Sequence, residues 1–385
     1  MRHLPYGIFS LNRRKVSHPV PSVSSRLPVF PWDRLEPYKA TAQAHGGGIV
    51  DLSVGTPVDP VPPVVRAALA AASDSPGYPT VWGTAALRAS ILGWLARRTG
   101  ARGLDEHGVL PVIGSKELVA ALPAQLGLGP GDRVAFPEPA YPTYEVGARL
   151  AGAEPAPYRG RATELDPAGL RLLWLNSPAN PTGRVLGAAE LREVVTWARE
   201  HGVLVFSDEC YLELGWEAEP VSVLHPEVCG GSHEGLVAVH SLSKRSNLAG
   251  YRAAFLAGDA ALLGELLSIR KHAGMMVPAP VQAAMAAALD DEGHVAEQRA
   301  RYARRRAALR EALTARGFRI AHSEASLYLW ATRDEPCWET VAELSKLGIL
   351  VAPGEFYGPA GERFVRVAFT ATDERVAEAV ARLTA

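Results

Sequence analysis

Short apolar runs alternate with helical stretches along most of the chain from about residue 52 onward. The runs are nearly continuous, which is typical of strands buried on both faces. Such strands separated by helices predict an α/β architecture, a mostly parallel sheet covered by helices on both sides. Ligands of such sheets bind outside the carboxyl ends of the strands. The predicted strands are 109–113, 133–136, 170–175, 203–206, 236–239 and 253–256.

A second, smaller lobe is predicted after residue 278, where the pattern changes. A long helix at 294–316 carries many arginines on one face, and we interpret it as solvated or as a connection between lobes. Because 385 residues are many for one core, two lobes around a cleft are expected. Strands of a smaller α+β lobe are predicted at 326–331, 349–352 and 364–369.

Four segments describe the expected domain organisation. Residues 1–27 lack an apolar segment of the signal-peptide type, so they are expected to be a flexible extension or an upstream mis-assigned start. The other segments are an N-terminal arm that adds to the small domain at 28–60, a large domain at 61–277 and a small domain at 278–385.

Composition argues for a small-molecule substrate, with no nucleic-acid or membrane partner. The charges nearly cancel, with 40 Lys plus Arg against 41 Asp plus Glu. No apolar run approaches the roughly 20 residues that span a bilayer. Cys210, Cys229 and Cys337 show no paired spacing, so neither a disulfide framework nor a metal site is expected. A reducing compartment, the cytoplasm, is therefore predicted.

Polar residues follow two of the predicted strands. Asn180 lies in the turn after strand 170–175, where it is either part of a tight loop or a donor to a phenolate oxygen. Asp208 follows strand 203–206, and a buried carboxylate needs a partner because an unpaired buried charge is costly. The carboxylate either caps a helix, forms an ion pair with a basic side chain, or pairs with the protonated nitrogen of a pyridine ring. In the last case Tyr211 would bind the phenolate oxygen of the same ring.

A lysine flanked by hydroxyl groups follows strand 236–239. Lys244 lies in Ser241-Leu242-Ser243-Lys244 and precedes Arg252. A lone lysine is usually a solvated surface residue, but these surroundings favour an amine that forms a Schiff base with an aldehyde. Ser241, Ser243 and Arg252 supply donors for a phosphate dianion.

Two further segments lie at predicted strand ends. Ser115 and Lys116 open a helix after strand 109–113, and this is either an ordinary N-cap, an anion site, or both. Tyr141 follows the Pro-rich turn after strand 133–136, and its ring either belongs to the core or stacks on a pyridine ring.

The ordered set of these motifs resembles the class I/II aminotransferases of fold type I, which bind pyridoxal 5′-phosphate (PLP). The motifs are Asn180-Pro181-Thr182-Gly183, Asp208 with Tyr211, and Ser241-Leu242-Ser243-Lys244 with Arg252. The resemblance covers nearly all of the chain from about residue 27. It implies PLP as the cofactor, a large sheet domain with a smaller α+β domain, and amino transfer between an amino acid and a 2-oxo acid.

The resemblance also implies a role for each matching residue. Lys244 carries the cofactor and then moves the α-proton, Asp208 pairs with the pyridine nitrogen, and Asn180 and Tyr211 hold the ring oxygen. No metal ion is implied. The remaining contacts are Tyr141 on the ring face, Ser115, Lys116 by its backbone, Ser241, Ser243, Arg252 and Tyr78 of the partner subunit at the phosphate, and Gly55, Asn180 and Arg366 at the substrate carboxylate. Tyr78 thus implies a homodimer with composite active sites.

Longer strings resemble the actinobacterial succinyldiaminopimelate aminotransferases. They lie at 30–33, 52–60, 110–117 and 140–148. They imply exchange between N-succinyl-LL-2,6-diaminopimelate and 2-oxoglutarate, a step of lysine biosynthesis. The chain departs from that group in its extension at 1–27 and at Trp82, where a smaller residue is expected; whether Trp82 narrows the substrate cleft and alters specificity stays open at this point.

Two other functions stay open. A PLP-dependent carbon–sulfur lyase would use the same pocket, and only its independence of an amino acceptor would distinguish it. A non-enzymatic PLP-sensing regulator carries a DNA-binding module before this fold. About 27 residues are too few for such a module.

Overall fold

Thirteen strands are present in the computed structural model, which describes residues 23–385. Of the predicted extension at 1–27, residues 1–22 lie outside the described part, and Val23–Arg26 form a 3-10 turn. In chain order the strands are β1 (Val50–Asp51), β2 (Val109–Ile113), β3 (Arg133–Pro137), β4 (Glu154–Tyr158), β5 (Leu170–Asn176), β6 (Leu204–Asp208), β7 (Leu236–Ser241), β8 (Ala253–Gly258), β9 (Arg319–Ala321), β10 (Tyr328–Thr332), β11 (Ile349–Leu350), β12 (Ala352–Pro353) and β13 (Val365–Ala368).

Helices separate most of these strands. None of those between residues 23 and 385 has the length and apolarity to cross a membrane. They are α1 (Glu36–Gln43), α2 (Pro63–Ala71), α3 (Ala85–Arg98), α4 (Ser115–Gln125), α5 (Thr143–Ala151), α6 (Ala188–Glu200), α7 (Pro226–Cys229), α8 (Leu242–Arg245), α9 (Ala260–His272), α10 (Ala279–Asp290), α11 (Gly293–Ala315), α12 (Cys337–Lys346) and α13 (Asp373–Thr384).

The large sheet has seven strands in the order β2-β8-β7-β6-β5-β3-β4. Its strands are parallel except β8, which runs antiparallel to both β2 and β7. Every residue of β7 and β8 is buried, because hydrophobic clusters cover both faces of the sheet. The prediction of a mostly parallel α/β sheet is confirmed, and the reversed direction of β8 was not predicted.

The reversal of β8 has a direct effect on the ligand-binding edge. Ala253, the first residue of β8, pairs with Ile113 at the end of β2, and Ala254 pairs with Ser241 at the end of β7. Arg252, which immediately precedes β8, therefore lies at the edge where β2 and β7 end. In α/β sheets this edge is where ligands bind.

The small lobe has its own sheet and core. Antiparallel strands form the order β12-β13-β10-β9, and β1 pairs in parallel with β11. Pairing of Val50 with Ile349 attaches the segment 28–60 to this lobe. Helix α10 follows residue 278, yet its buried Met285 and Leu289 belong to the core of the large sheet. The change from one core to the other thus falls between α10 and α11.

Two arginines of helix α11, Arg305 and Arg306, are buried and join segments, whereas Arg299 and Arg304 are exposed. Arg305 is 3% exposed and donates to both oxygens of Asp59 at 2.8 Å, and to Asp373 at 2.6 Å. Arg306 donates to Glu217 at 2.6 Å. The interpretation as a solvated face was wrong for these two residues, because each binds an acid from another segment.

Replacing Asp59 with asparagine is expected to lower the free energy of unfolding by about 3 kcal/mol at pH 7, since Arg305 would stay buried with only the exposed Asp373 as a charge partner. Burial acts to raise the pKa of Asp59, but hydrogen bonds from Arg305 and Gln298 outweigh it and lower the pKa. The stabilisation is therefore present above the unfolded pKa of Asp59 and is lost as the pH falls through the folded one.

Chemical denaturation at pH 7 and at decreasing pH measures this difference. The matched control is Asp373→Asn, because Asp373 binds the same arginine but its side chain is 54% exposed. It should cost less than about 1 kcal/mol. Equal losses for the two variants would contradict the importance of the buried pair.

Candidate active site

Four neighbouring strands of the large sheet place polar residues at one edge. Asn176 closes β5, Asp208 closes β6, Ser241 closes β7 and Arg252 precedes β8. Each lies at the edge where an α/β sheet binds its ligand. The structure therefore brings together segments that are remote in the chain, as the sequence predicts.

Lys244 lies on the short helix α8, directly after β7. Its amino group donates a hydrogen bond to the carbonyl of Gly55, which brings the N-terminal segment to the sheet edge. Burial lowers the pKa of Lys244, and the cations Arg366 and Arg252 act in the same direction, against Tyr328 and Cys210. A lowered pKa increases the neutral, nucleophilic fraction of the amine.

Asp208 is a buried carboxylate, 6% exposed. One carboxylate oxygen accepts from the Tyr144 hydroxyl at 2.9 Å, and the other accepts from the backbone N–H of Cys210 at 3.2 Å. Burial raises the pKa of Asp208, while hydrogen bonds from Cys210 and Tyr144 oppose the rise. No lysine or arginine pairs with it within residues 23–385. A protonated nitrogen brought by a ligand would satisfy this carboxylate.

Asn180 is held in place by Asn176. The Asn176 side chain accepts from the backbone N–H of Asn180 at 2.8 Å and donates to the carbonyl of Asp208 at 3.0 Å. The side-chain oxygen of Asn180 accepts from Arg366 at 2.9 Å. Its amide nitrogen donates to no other group in the described part of the chain, so it is free to donate to a ligand.

Arg366, on β13 of the small lobe, is 4% exposed. It donates to Asn180 and, at 2.8 Å, to the carbonyl of Ser53. The rings of Tyr328 and Tyr357 lie 4.0 and 4.8 Å from the guanidinium carbon. Among residues 23–385 it has no acidic partner, and its Nε is buried without an acceptor. A carboxylate of a ligand would complete this group.

An anion cradle surrounds the start of α4. The guanidinium of Arg252 lies beside Gly114, so close that a Cβ there would be 2.2 Å from its nitrogen. The Ser241 hydroxyl donates to Ser243 at 2.9 Å. Arg252 donates to the carbonyl of Ala249 at 2.8 Å and pairs with no carboxylate in the described chain. Ser115 begins α4, whose free N–H groups favour an anion.

Lys116 is exposed, so only its backbone belongs to this cradle. Tyr141 lies beside the same edge, half-buried, with its ring 5.9 Å from that of Tyr144. Burial raises the pKa of Tyr141 to about 12. A neutral aromatic ring at this position can cover the face of a bound heterocycle.

Tyr211 is buried and its hydroxyl lies 2.9 Å from that of Tyr328. Tyr328 belongs to β10 of the small lobe. A Cβ on Gly55 would be 2.3 Å from the Tyr328 hydroxyl, so only glycine permits this approach. Gly55 thus contacts both Lys244 and Tyr328.

Two of the predicted residues lie away from this group. Tyr78 is 98% exposed, so within its own subunit it is not part of the site. Trp82 donates to the carbonyl of Glu106 at 3.2 Å and stacks on His107, before the start of β2. Because the ligand-binding edge lies at the other end of β2, Trp82 does not line the cleft of its own subunit.

Four contributing residues were not singled out from the sequence. Tyr144 and Asn176 lie within motifs that were recognised, three residues after Tyr141 and at the start of the Asn180 turn, so their positions were a usable signal. Cys210 lies between Asp208 and Tyr211. Tyr328 gave no local signal, because it reaches the site only through packing of the small lobe. No metal-binding group of three acidic, histidine or cysteine side chains occurs among residues 23–385.

Known proteins are similar to this chain in sequence and in fold. The family described as aminotransferase class I and II matches residues 48–383. Probable aminotransferase Rv1178 of Mycobacterium tuberculosis is 66% identical over 363 residues, 94% of this chain and 86% of that protein. The 4-dedimethylamino-4-oxo-anhydrotetracycline transaminase OxyQ of Streptomyces rimosus is 61% identical over 358 residues, 93% and 99% of the two chains. The structure of N-succinyldiaminopimelate aminotransferase from Mycobacterium tuberculosis is similar at a TM-score of 0.80 and 28% identity, covering 91% and 98%.

Proposed function

Because this chain belongs to the class I and II aminotransferases, which use PLP to move amino groups, we propose that its sheet edge is the PLP site. One observation carries the proposal: Asp208, a buried acid that pairs with no lysine or arginine among residues 23–385, lies at the same sheet edge as Lys244 and as the anion-binding groups around Arg252. Asp208 would take the ring nitrogen of PLP. Arg252, Ser241, Ser243, Ser115 and the backbone of Lys116 would take its phosphate.

The remaining contacts to the cofactor follow from the groups that are free to make them. Asn180 has an unused amide nitrogen and would bind the ring oxygen together with Tyr211. Tyr141 would cover one face of the ring. When bound, PLP withdraws electrons from the α-carbon of the substrate, so that the α-proton leaves more easily.

Lys244 is proposed to act as attachment point and as base. Its lowered pKa favours the neutral amine that bonds to an aldehyde. Once a substrate amine has displaced it, the same nitrogen is free to move a proton at the α-carbon. The carbonyl of Gly55 holds the amine at the edge between the two lobes.

The substrate carboxylate is proposed to bind Arg366. The guanidinium is fixed by Asn180 and Ser53 and has no acid of its own in the described chain. The backbone of Gly55 lies beside it. An α-amino or 2-oxo acid would thereby present its reacting carbon to Lys244.

We further propose a homodimer in the cytoplasm. Tyr78 is almost fully exposed, as expected of a residue that completes the phosphate site of a partner subunit. The three cysteines form no disulfide, which supports a reducing compartment.

For the substrates we propose N-succinyl-LL-2,6-diaminopimelate and 2-oxoglutarate, supported by the longer sequence strings and by the similar fold of a succinyldiaminopimelate aminotransferase. A second candidate for the amino acceptor is a large polycyclic compound that carries an oxo group. It is favoured by the 61% identity with OxyQ, named for an anhydrotetracycline substrate. A carbon–sulfur lyase is a third candidate, on the shared pocket alone.

A donor and acceptor screen tests these proposals. The absorbance of the PLP-loaded enzyme is followed with N-succinyl-LL-2,6-diaminopimelate, glutamate, other amino acids and cysteine conjugates, each without an acceptor. We expect a single stoichiometric half-reaction that needs a 2-oxo acid for turnover, with ping-pong kinetics. Continuous release of pyruvate and ammonia without an acceptor would indicate the lyase. No response to any amino donor would contradict an aminotransferase.

Replacing Gly114 with alanine is expected to raise the dissociation constant of PLP about tenfold, because the added methyl group displaces the Arg252 guanidinium. Gly127→Ala is the matched control. Gly127 also has a positive φ, of 73°, but a Cβ there meets nothing within 4 Å. Both variants lose some stability, since alanine disfavours a positive φ, but only Gly114→Ala should bind PLP more weakly. Equal affinity in the two variants would contradict the proposed cradle.

A further inference from the structure

Tyr328 brings a small-lobe hydroxyl to the edge of the large sheet. Its oxygen lies 2.9 Å from that of Tyr211, although 117 residues separate the two in the chain. Gly55 is the residue that permits this position, since any Cβ would collide with the Tyr328 hydroxyl. A hydroxyl group donates one hydrogen bond and can accept hydrogen bonds from other donors. The direction of this hydrogen bond therefore decides where the Tyr211 hydrogen points.

The charged groups around the pair favour donation by Tyr328. Arg366 lies over its ring at 4.0 Å, and the other titratable groups that interact with Tyr328 besides Tyr211 are Lys244, Cys210, Tyr141 and Tyr357. Burial acts to raise the pKa of Tyr328, but Arg366 and Lys244 outweigh burial and lower it. Burial, with Tyr328 as neighbour, raises the pKa of Tyr211, which faces Arg366 and Cys210 as well. The more acidic hydroxyl is the better donor.

We propose that Tyr328 is a positioning residue that donates its hydroxyl hydrogen to Tyr211, so that the Tyr211 hydrogen is directed to the ring oxygen of PLP. This inference rests on the proposed function, in which Tyr211 binds that oxygen. Two hydroxyls in series polarise each other, so the first strengthens the second as a donor. Since Tyr328 lies on β10, the electronic state of the cofactor would depend on the position of the small lobe against the large sheet.

A pH titration of the visible absorption of the PLP-loaded, substrate-free enzyme tests this role. The absorption changes as the nitrogen joining Lys244 to PLP loses its proton, and a donor on the ring oxygen favours the deprotonated form. Tyr328→Phe removes the hydroxyl that donates to Tyr211 and so weakens Tyr211 as a donor to the ring oxygen. We expect its midpoint to lie about half a pH unit above that of the wild type. Tyr211→Phe should raise it by about one unit or more.

Tyr357→Phe is the matched control, because Tyr357 belongs to the same aromatic group but its buried hydroxyl has no hydrogen-bond partner among residues 23–385. Its midpoint should equal the wild-type value. The double variant Tyr211→Phe/Tyr328→Phe should match Tyr211→Phe alone, because Tyr328 acts only through Tyr211. Thermal unfolding of each variant separates a shifted midpoint from a damaged fold.

The outcomes distinguish this inference from the function on which it rests. A wild-type protein that shows no visible band with PLP would contradict the proposed function. A normal wild-type band with an unshifted Tyr328→Phe midpoint would overturn the inference alone. A further shift from Tyr328→Phe in the Tyr211→Phe background would also overturn it, because the effect would then bypass Tyr211. If Tyr328→Phe does not fold, Gly55→Ala, which displaces the same hydroxyl, should raise the midpoint in the wild-type background but not in the Tyr211→Phe background. An unchanged midpoint in the first background, or a shift in the second, would overturn the inference.

Discussion

Replacing Lys244 with alanine is expected to abolish the visible absorption of bound PLP and to lower turnover by about 10⁴-fold or more. In the proposed function, the side chain supplies both the nitrogen that bonds to the cofactor and the base that moves the α-proton. The other cations of the edge, Arg252 and Arg366, do not replace Lys244 as a base, because arginine does not lose its proton. Absorption spectra and steady-state rates with the donor found in the screen measure the two losses.

Lys271→Ala is the control for this experiment, because Lys271 is an exposed lysine near the end of α9, outside the site. It should keep the band and the turnover. The two variants should unfold within a few degrees of the wild type, since Lys244 forms no ion pair in the described chain. A Lys244→Ala enzyme that retains both the band and the activity would refute the assignment of this residue.

Replacing Asp208 with asparagine is expected to lower the rate of the first half-reaction by about 10²- to 10⁴-fold, with PLP still bound through Lys244. Removal of one partner from a buried charge pair costs about 3–5 kcal/mol, which corresponds to such a factor in rate. Asparagine keeps the shape of the side chain. Its neutral amide does not stabilise a protonated ring nitrogen, so the cofactor withdraws electrons less strongly.

Stopped-flow absorbance with saturating donor measures this rate directly. Tyr144→Phe gives a graded comparison, because it removes one 2.9 Å hydrogen bond to the same carboxylate and leaves its charge in place. We expect a loss of about tenfold or less. An Asp208→Asn rate within threefold of the wild type would show that the carboxylate does not act on the cofactor.

Much of the site was predictable because it lies at strand ends. Apolar runs identify the strands, and parallel strands bring their carboxyl ends to one edge. The positions of Asp208, Asn180 and Ser241 follow from this rule alone. Arg252 obeys it only through the reversal of β8, which no local pattern indicates.

Contacts between the lobes were beyond the sequence pattern. Gly55 and Lys244 are 189 residues apart, and Tyr211 and Tyr328 are 117 apart. Local periodicity reports which face of an element is buried, but not which distant element covers it. The same limit explains Arg305, whose charge suggested solvent although Asp59 and Asp373 enclose it.

The setting of Arg366 has a consequence for ligand selection. Two hydrogen bonds and two aromatic rings fix its guanidinium before any ligand arrives. Little rotational entropy then remains to be lost on binding, so recognition is preorganised. If Arg366 binds the substrate carboxylate as proposed, its fixed guanidinium does not follow a carboxylate that is moved by one methylene group. β-Amino acids should consequently be rejected by geometry, even though their charge matches.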